Sequence, residues 1–267
     1  PKFNGFANEW IDKPGIEEAV AEKLSDITIR YKLEDCVDLP PNIVRTVRTH
    51  LSPEIQQMYK TFAEESVLYT KAGTINAVHA GARVKKLLQL ISGGVYDDEG
   101  QTQYFHQERY NLVIDLIKER KHCIVAFNWK HERDALIEQA EKEKLSYEVI
   151  DGSVPAEKRK DIVGRFQAGQ IRVLFCHPQS AGHGLTLTKA TTAIWCSPTY
   201  NAEHFQQFNR RIHRASQTEK TETILIAAHK TWEEDVYAKL NGKLGKMENL
   251  LHILTGLQNA NENTRTT

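Results

Sequence analysis

From residue 122 onward, short apolar runs alternate with longer stretches of helical periodicity, and this alternation narrows the fold more than any other feature of the chain. The runs 122–127, 147–150, 171–176, 191–196 and 222–227 are rich in β-branched and aromatic residues and too short for buried helices. Helical patterns fill the intervals at 131–144 and 155–166, the second with Pro155 at its start and Ile162, Val163 and Phe166 inward. A last helix opens near Thr231 and carries Trp232, Val236 and Leu240. A strand that is apolar along its whole length needs cover on both faces, so the expected class is α/β, a parallel sheet with helices on both faces. In such a sheet ligands bind beyond the carboxyl ends of the strands. The turns there are Asn128-Trp129-Lys130, Asp151-Gly152-Ser153, the stretch 177–184, and the stretch 197–201.

The third turn and the segment after the next strand carry the strongest chemical signal. Residues 179–188 read Gln-Ser-Ala-Gly-His-Gly-Leu-Thr-Leu-Thr. Gly182 and Gly184 let backbone N–H groups approach a charged ligand closely, though a lone Gly-x-Gly usually marks only a tight turn. Residues 207–217 read Gln-Phe-Asn-Arg-Arg-Ile-His-Arg-Ala-Ser-Gln. Taken as one helix, this segment places Phe205, Phe208, Ile212 and Ala215 on an apolar stripe. Gln207, Arg211 and Arg214, at i, i+4 and i+7, then stack along another face. Arginine suits phosphate because its planar fork donates bidentately and stays charged. Alone, such a helix is a surface helix with a solvated basic face. Beside the glycine turn it becomes a phosphate-facing constellation.

The first 120 residues are organised differently. Residues 1–50 read as a lead-in, with a short helix at 16–24, alternating patterns at 27–33 and 43–51, and a break at Leu39-Pro40-Pro41. Residues 51–120 read as a helical attachment. Ser52-Pro53-Glu54 opens its first helix, with Ile55, Met58, Tyr59 and Phe62 on the buried face. A second helix is expected over 74–91, carrying Arg83, Lys85 and Lys86 and closed by Gly93-Gly94, and a third over 107–120. Asp97-Asp98-Glu99-Gly100 imitates a magnesium-holding acidic box but lacks the buried strand that would fix a carboxylate beside phosphates, so it reads as a solvated turn. The lobe proper is expected at 121–245, and 246–267 as a fraying tail.

Composition excludes more than it selects. Lys plus Arg and Asp plus Glu balance at 35 each, so any nucleic-acid surface must be local. No apolar run reaches membrane-span length and no signal-peptide pattern is present, which points to no membrane partner. Cys36, Cys123, Cys176 and Cys196 lie far apart, the last three in apolar runs, which reads as reduced thiols in a cytoplasmic protein without a metal site. The start at Pro1 suggests a segment of something longer.

These blocks together resemble the second RecA-like lobe of superfamily-two helicases, specifically the Swi/Snf-type DNA translocases, over almost the whole chain. Leu39-Pro40-Pro41, Leu51-Ser52-Pro53 and Tyr59 are similar to the entry into that lobe. Ile124-Val125-Ala126-Phe127 resembles the fourth helicase motif, and Val149-Ile150-Asp151-Gly152 with Arg159 and Phe166 resembles the segment after it. Residues 180–188 are similar to the fifth motif and 207–217 to the sixth, with Arg211 and Arg214 where the family carries arginine fingers. Asn209-Arg210 stands where a glycine is common, Thr186 replaces a frequent asparagine, and Tyr200 a usual tryptophan.

The resemblance implies half of an ATP-driven motor. ATP with Mg2+ would sit against a first RecA-like lobe that supplies the phosphate loop and the magnesium carboxylates; no Gly-x-x-x-x-Gly-Lys-Ser/Thr occurs in these 267 residues. Arg211 and Arg214 would be catalytic, and Gly182, Gly184 and Gln207 would join them against the nucleotide. DNA, duplex and read without regard to sequence, would lie across Asn128, Trp129, Lys130, Ser153, Lys158, Gln179 and Ser180. The alternatives are a non-catalytic nucleic-acid-binding module, or the same lobe in an RNA helicase or a restriction-type motor.

Overall fold

The computed structural model describes residues 2–3, 8–9, 12–28, 36–70, 73–77, 79–97, 99–181 and 184–265. The chain divides into two compact units, Pro1–Cys36 with Asn241–Thr267, and Val37–Leu240. In the smaller unit β1 (Lys2–Phe3) pairs antiparallel with β2 (Asn8–Glu9), and α1 (Ile16–Ser25) follows. The alternation expected at 27–33 falls largely outside the described residues.

The larger unit is built on a six-stranded sheet. Its strands are β3 (Asn42–Thr49), β8 (Cys123–Ala126), β9 (Tyr147–Ile150), β10 (Val173–Cys176), β11 (Thr192–Trp195) and β12 (Thr221–Ala228), in the order β3-β12-β11-β8-β10-β9. Every pairing is parallel, so all six carboxyl ends share one edge of the sheet. Cys123 and Val125 face a core filled by Tyr110, Val113, Ile117 and Leu136, while the alternate residues Ile124 and Ala126 are equally buried on the other face. Cover on both faces is what continuous apolar strands demand. The helices are α4 (Glu108–Lys118), α5 (Lys130–Lys142), α6 (Ala156–Gln167), the single turn α7 (Pro178–Ala181), α8 (Ala202–Asn209) and α9 (Trp232–Arg265). The architecture is α/β, a parallel sheet with helices on both faces, as the strand–helix alternation requires.

Four expectations change. Residues 42–49, assigned above to a lead-in, form the edge strand β3 in full register with β12. The helix expected after Ser52 is unchanged, forming α2 (Pro53–Glu65) with Ser52 Oγ accepting from Ile55 N at 3.4 Å. The helix expected over 74–91 is shorter: β4 (Val67–Thr70) and β5 (Gly73–Asn76) form a hairpin, and α3 runs Ala80–Ser92. The tail is helical within the smaller unit, since α9 continues to Arg265. The fourth change, at 207–217, concerns the site.

The attachment has a core of its own, with Phe62, Leu68, Ile75, Leu87, Leu90 and Val95 buried together. Its acidic stretch is the turn of a hairpin, β6 (Gly94–Tyr96) with β7 (Thr102–Tyr104), where Asp97 Oδ1 accepts from Glu99 N and Gln101 N. Cys123, Cys176 and Cys196 are free and buried; burial pushes the Cys123 thiol up to about 12 and the other two further. Among the described residues, no helix is long and apolar enough to cross a membrane, and no cluster of His, Cys, Asp or Glu is placed to hold a metal ion.

Candidate nucleotide and nucleic-acid site

The segment carrying the two arginines is not one helix. α8 ends at Asn209, whose Oδ1 accepts from the indole Nε1 of Trp195 at 3.0 Å, and residues 210–216 form successive turns. Phe205, Phe208 and Ile212 are buried as the apolar stripe predicted, but Ala215 is exposed because the stripe has no helix left to continue it. Phe205 and Phe208 pack on Trp195 at centroid distances of 5.0 and 5.1 Å. The i, i+4, i+7 argument therefore fails for Gln207, Arg211 and Arg214, and a different device brings the arginines together.

That device is the loop after β10. Arg211 Nη1 and Arg214 Nη1 donate to the same carbonyl, Leu185 O, at 3.1 and 3.3 Å, and Arg214 Nη1 also donates to Thr186 Oγ1 at 3.0 Å. Leu187 N returns a bond to Arg211 O at 3.0 Å. Gln217 closes the arrangement: its buried amide donates to Thr188 O, Ala190 O and Ile212 O. Two guanidinium groups thus converge on neutral oxygens. Burial, and secondarily the nearby charge of Arg214, lowers the Arg211 pKa. Gln207 donates to Glu203 at 2.8 Å, and its Oε1 is buried without a partner among the described residues. Gly184 is exposed with φ +69°, a left-handed conformation that favours glycine. Gly182 lies outside the described residues.

The residues nominated for nucleic acid lie along the carboxyl edge, but several are occupied in holding it together. Asn128 Nδ2 donates to Ser197 O, Ser197 Oγ and Pro198 O at 3.0–3.2 Å, tying the turn after β8 to the turn after β11. Ser153 gives both its N–H and its hydroxyl to Asp151 Oδ1, and Arg133 holds Asp151 Oδ2 at 2.9 Å. Burial opposes these bonds, yet together they keep the Asp151 carboxyl below its usual range. The carbonyl of Ser180 accepts from Arg159, which also bonds Asp151 O and Val154 O and so joins the turns after β9 and β10. Lys130, Lys158 and Gln179 are exposed. Trp129 is half-buried, stacked on His131 with an interplanar angle of 6°.

Beneath these turns sits a buried polar layer that periodicity did not single out. Glu132, in the first turn of α5, accepts from Asn128 N at 2.7 Å and Trp129 N at 3.2 Å in the manner of a capping box. Burial outweighs those bonds and raises its carboxyl to about 7. His131 bonds Ser92 Oγ at 2.8 Å and Tyr96 OH at 3.2 Å; burial, helped by Arg109, drops it to about 3, so the ring is neutral. Arg109 donates to Cys196 O, Ile91 O and Glu233 Oε2, and Glu233 accepts a second bond from Ala228 N. Burial disfavours the Arg109 charge, and Glu233 more than restores it. In the sequence Arg109 and Glu233 look like ordinary helix-surface charges; their separation of 124 positions hides the pair.

This arrangement can be set beside known proteins. Residues 108–216 match the helicase conserved C-terminal domain. Putative protein p41 of Acyrthosiphon pisum secondary endosymbiont phage 1 is 26% identical over 94% of the chain and 58% of its own length. The DNA annealing helicase and endonuclease ZRANB3 of Bos taurus is 27% identical over 82% of the chain and 20% of its own length. Residues 108–216 of the chain are a helicase conserved C-terminal domain. The crystal structure of the C-terminal part of the Fun30 ATPase domain superposes with a TM-score of 0.57, covering 76% of this chain and 89% of that one at 14% identity, a likeness of fold. The chain spans only part of the curated relatives it matches, 58% of the first and 20% of the second.

Proposed function

We propose that this lobe completes an ATPase site, with Arg211 and Arg214 presenting positive charge to the phosphates of ATP held with Mg2+ by a first RecA-like lobe, and that its strand-end turns grip duplex DNA. The observation that carries the reading is the convergence of both guanidinium groups on Leu185 O, with Thr186 Oγ1 beside them. Leu185 O and Thr186 Oγ1 are neutral oxygens, and an incoming phosphate would offer charged oxygens to the same donors. Gln207, with its unpartnered Oε1, stands one helical turn before the pair and has an acceptor to offer the nucleotide. ATP would supply the transferable phosphoryl group and Mg2+ would neutralise its oxygens. This chain's part is to hold two fixed positive charges where negative charge develops, an effect on the order of a thousandfold or more in rate.

Along the same edge, Lys130, Lys158 and Gln179 offer exposed donors for phosphate oxygens. Asn128, Ser153 and Ser180 serve chiefly by fixing the turns that present them. Such contacts position a duplex without reading its sequence, which suits a translocase. The test is ATP hydrolysis by the intact protein, with and without duplex DNA, for wild type and Arg211→Ala. DNA-stimulated hydrolysis that the substitution reduces about a thousandfold, with nucleotide still bound, is the expected result. Normal hydrolysis by Arg211→Ala would reduce the pair to a structural clamp on the loop after β10.

A further inference from the structure

The helical attachment carries three basic residues on α3, and the structure assigns them different work. Arg83 Nη1 donates to Ser66 Oγ at 3.1 Å and Lys86 Nζ to Tyr96 O at 3.3 Å, so both brace the attachment internally. Lys85 is exposed and leans out of the attachment, with Nζ 5.9 Å from the centroid of the Trp129 ring.

Trp129 is held firmly enough to serve as a platform. Its N–H is fixed by Glu132, and its ring stacks on His131 at a centroid distance of 6.5 Å. His131 is in turn fixed by Ser92 and Tyr96, both from the attachment, and Tyr96 OH also accepts from His131 N at 3.1 Å. The attachment thus orients the ring through His131 and places a cation over it through Lys85. An ammonium over an aromatic ring is attracted by the ring's quadrupole, but the ring takes no lone-pair hydrogen bond from it, so its N–H donors remain available to an anion. Lys130, the next residue after Trp129, is a second exposed lysine on this edge.

We propose that the attachment is part of the DNA-binding surface, with Lys85 contacting a backbone phosphate beside Trp129 and Lys130. The inference rests on the nucleic-acid reading of the strand-end edge and extends it onto a segment that the matched helicase domain, residues 108–216, does not include. One ammonium on a phosphate gives a contact that ignores base sequence and releases about one counterion.

The experiment is equilibrium binding of the intact protein to two duplexes of unrelated sequence across a salt series. Lys85→Ala is compared with Lys85→Arg, Trp129→Ala, Lys130→Ala and Lys60→Ala, the last an exposed lysine elsewhere on the attachment. Lys85→Ala is expected to weaken both duplexes equally, by roughly threefold to tenfold, and to reduce the slope of log K against log salt by about one. Lys85→Arg should restore both, and Lys60→Ala should change neither. Nucleotide affinity should stay at the wild-type value, and the urea midpoint should fall only by what one exposed cation–π contact contributes. If Trp129→Ala or Lys130→Ala weakens binding while Lys85→Ala leaves affinity and slope unchanged, the attachment is outside the interface and this proposal fails alone. If none of the three alters binding, the strand-end reading fails with it.

Discussion

Replacing Arg109 with methionine removes the cation at the centre of the buried layer while keeping much of its bulk. Arg109 and Glu233 are 2% and 0% exposed, with Nη2 and Oε2 2.7 Å apart. Removing one partner of such a pair leaves a buried carboxylate uncompensated, at a cost of about 3–5 kcal/mol. Cys196 O and Ile91 O also lose donors at 2.6 and 3.3 Å. Glu233 keeps its bond from Ala228 N at 2.7 Å, which offsets part of those losses. The net expectation for Arg109→Met is therefore the same range, about 3–5 kcal/mol, read as a lowered midpoint in urea with an unchanged m value. The double variant Arg109→Met, Glu233→Met removes both charges and should recover at least half of the loss, because two apolar side chains of similar volume need no compensation. A single variant within about 1 kcal/mol of wild type, or a double variant worse than the sum of the singles, would refute the reasoning.

Two other perturbations follow from the same region. Glu132, raised to about 7, favours the folded state when protonated, so its contribution is full below the unfolded carboxyl pKa and is lost as pH rises through 7; His131, lowered to about 3, loses stability as pH falls below the ordinary histidine value of about 6.5. The two slopes oppose each other between roughly pH 4.5 and 6.5, so in urea titrations across that window Glu132→Gln should make stability climb with pH and His131→Asn should make it fall; parallel slopes in both variants would contradict the assignment. Gly93 caps α3 with φ +112°, and a Cβ there would lie 2.5 Å from His106 O. Gly93→Ala should cost on the order of 1–3 kcal/mol of stability in the same denaturation assay, and a neutral result would mean that the cap relaxes freely.

The sequence by itself determined the parts of this protein that depend on local burial. Five strands were legible because they are short and largely apolar, most of them buried on both faces, although edge strand β9 keeps Glu148 and is only partly buried. Ser52-Pro53 announced α2 because the cap is made within three residues. Arg211 and Arg214 were recognisable as residue types beside a glycine turn. What only the tertiary structure decided depends on partners far along the chain. β3 reads as a lead-in because its apolar residues Ile43 and Val44 are more than half exposed, as an edge strand allows, and its place comes from register with β12, some 180 positions away. The apolar stripe ran on to Ala215, yet α8 stops at Asn209, where Trp195 takes the amide and the turns of 210–216 begin. The arginines meet on Leu185 O because Gln217 spends its amide on three carbonyls, two of them from the loop after β10. Periodicity records how much of each side chain is hidden from water. It carries no record of which distant donor meets which acceptor, and at this sheet edge those meetings set where the charges stand.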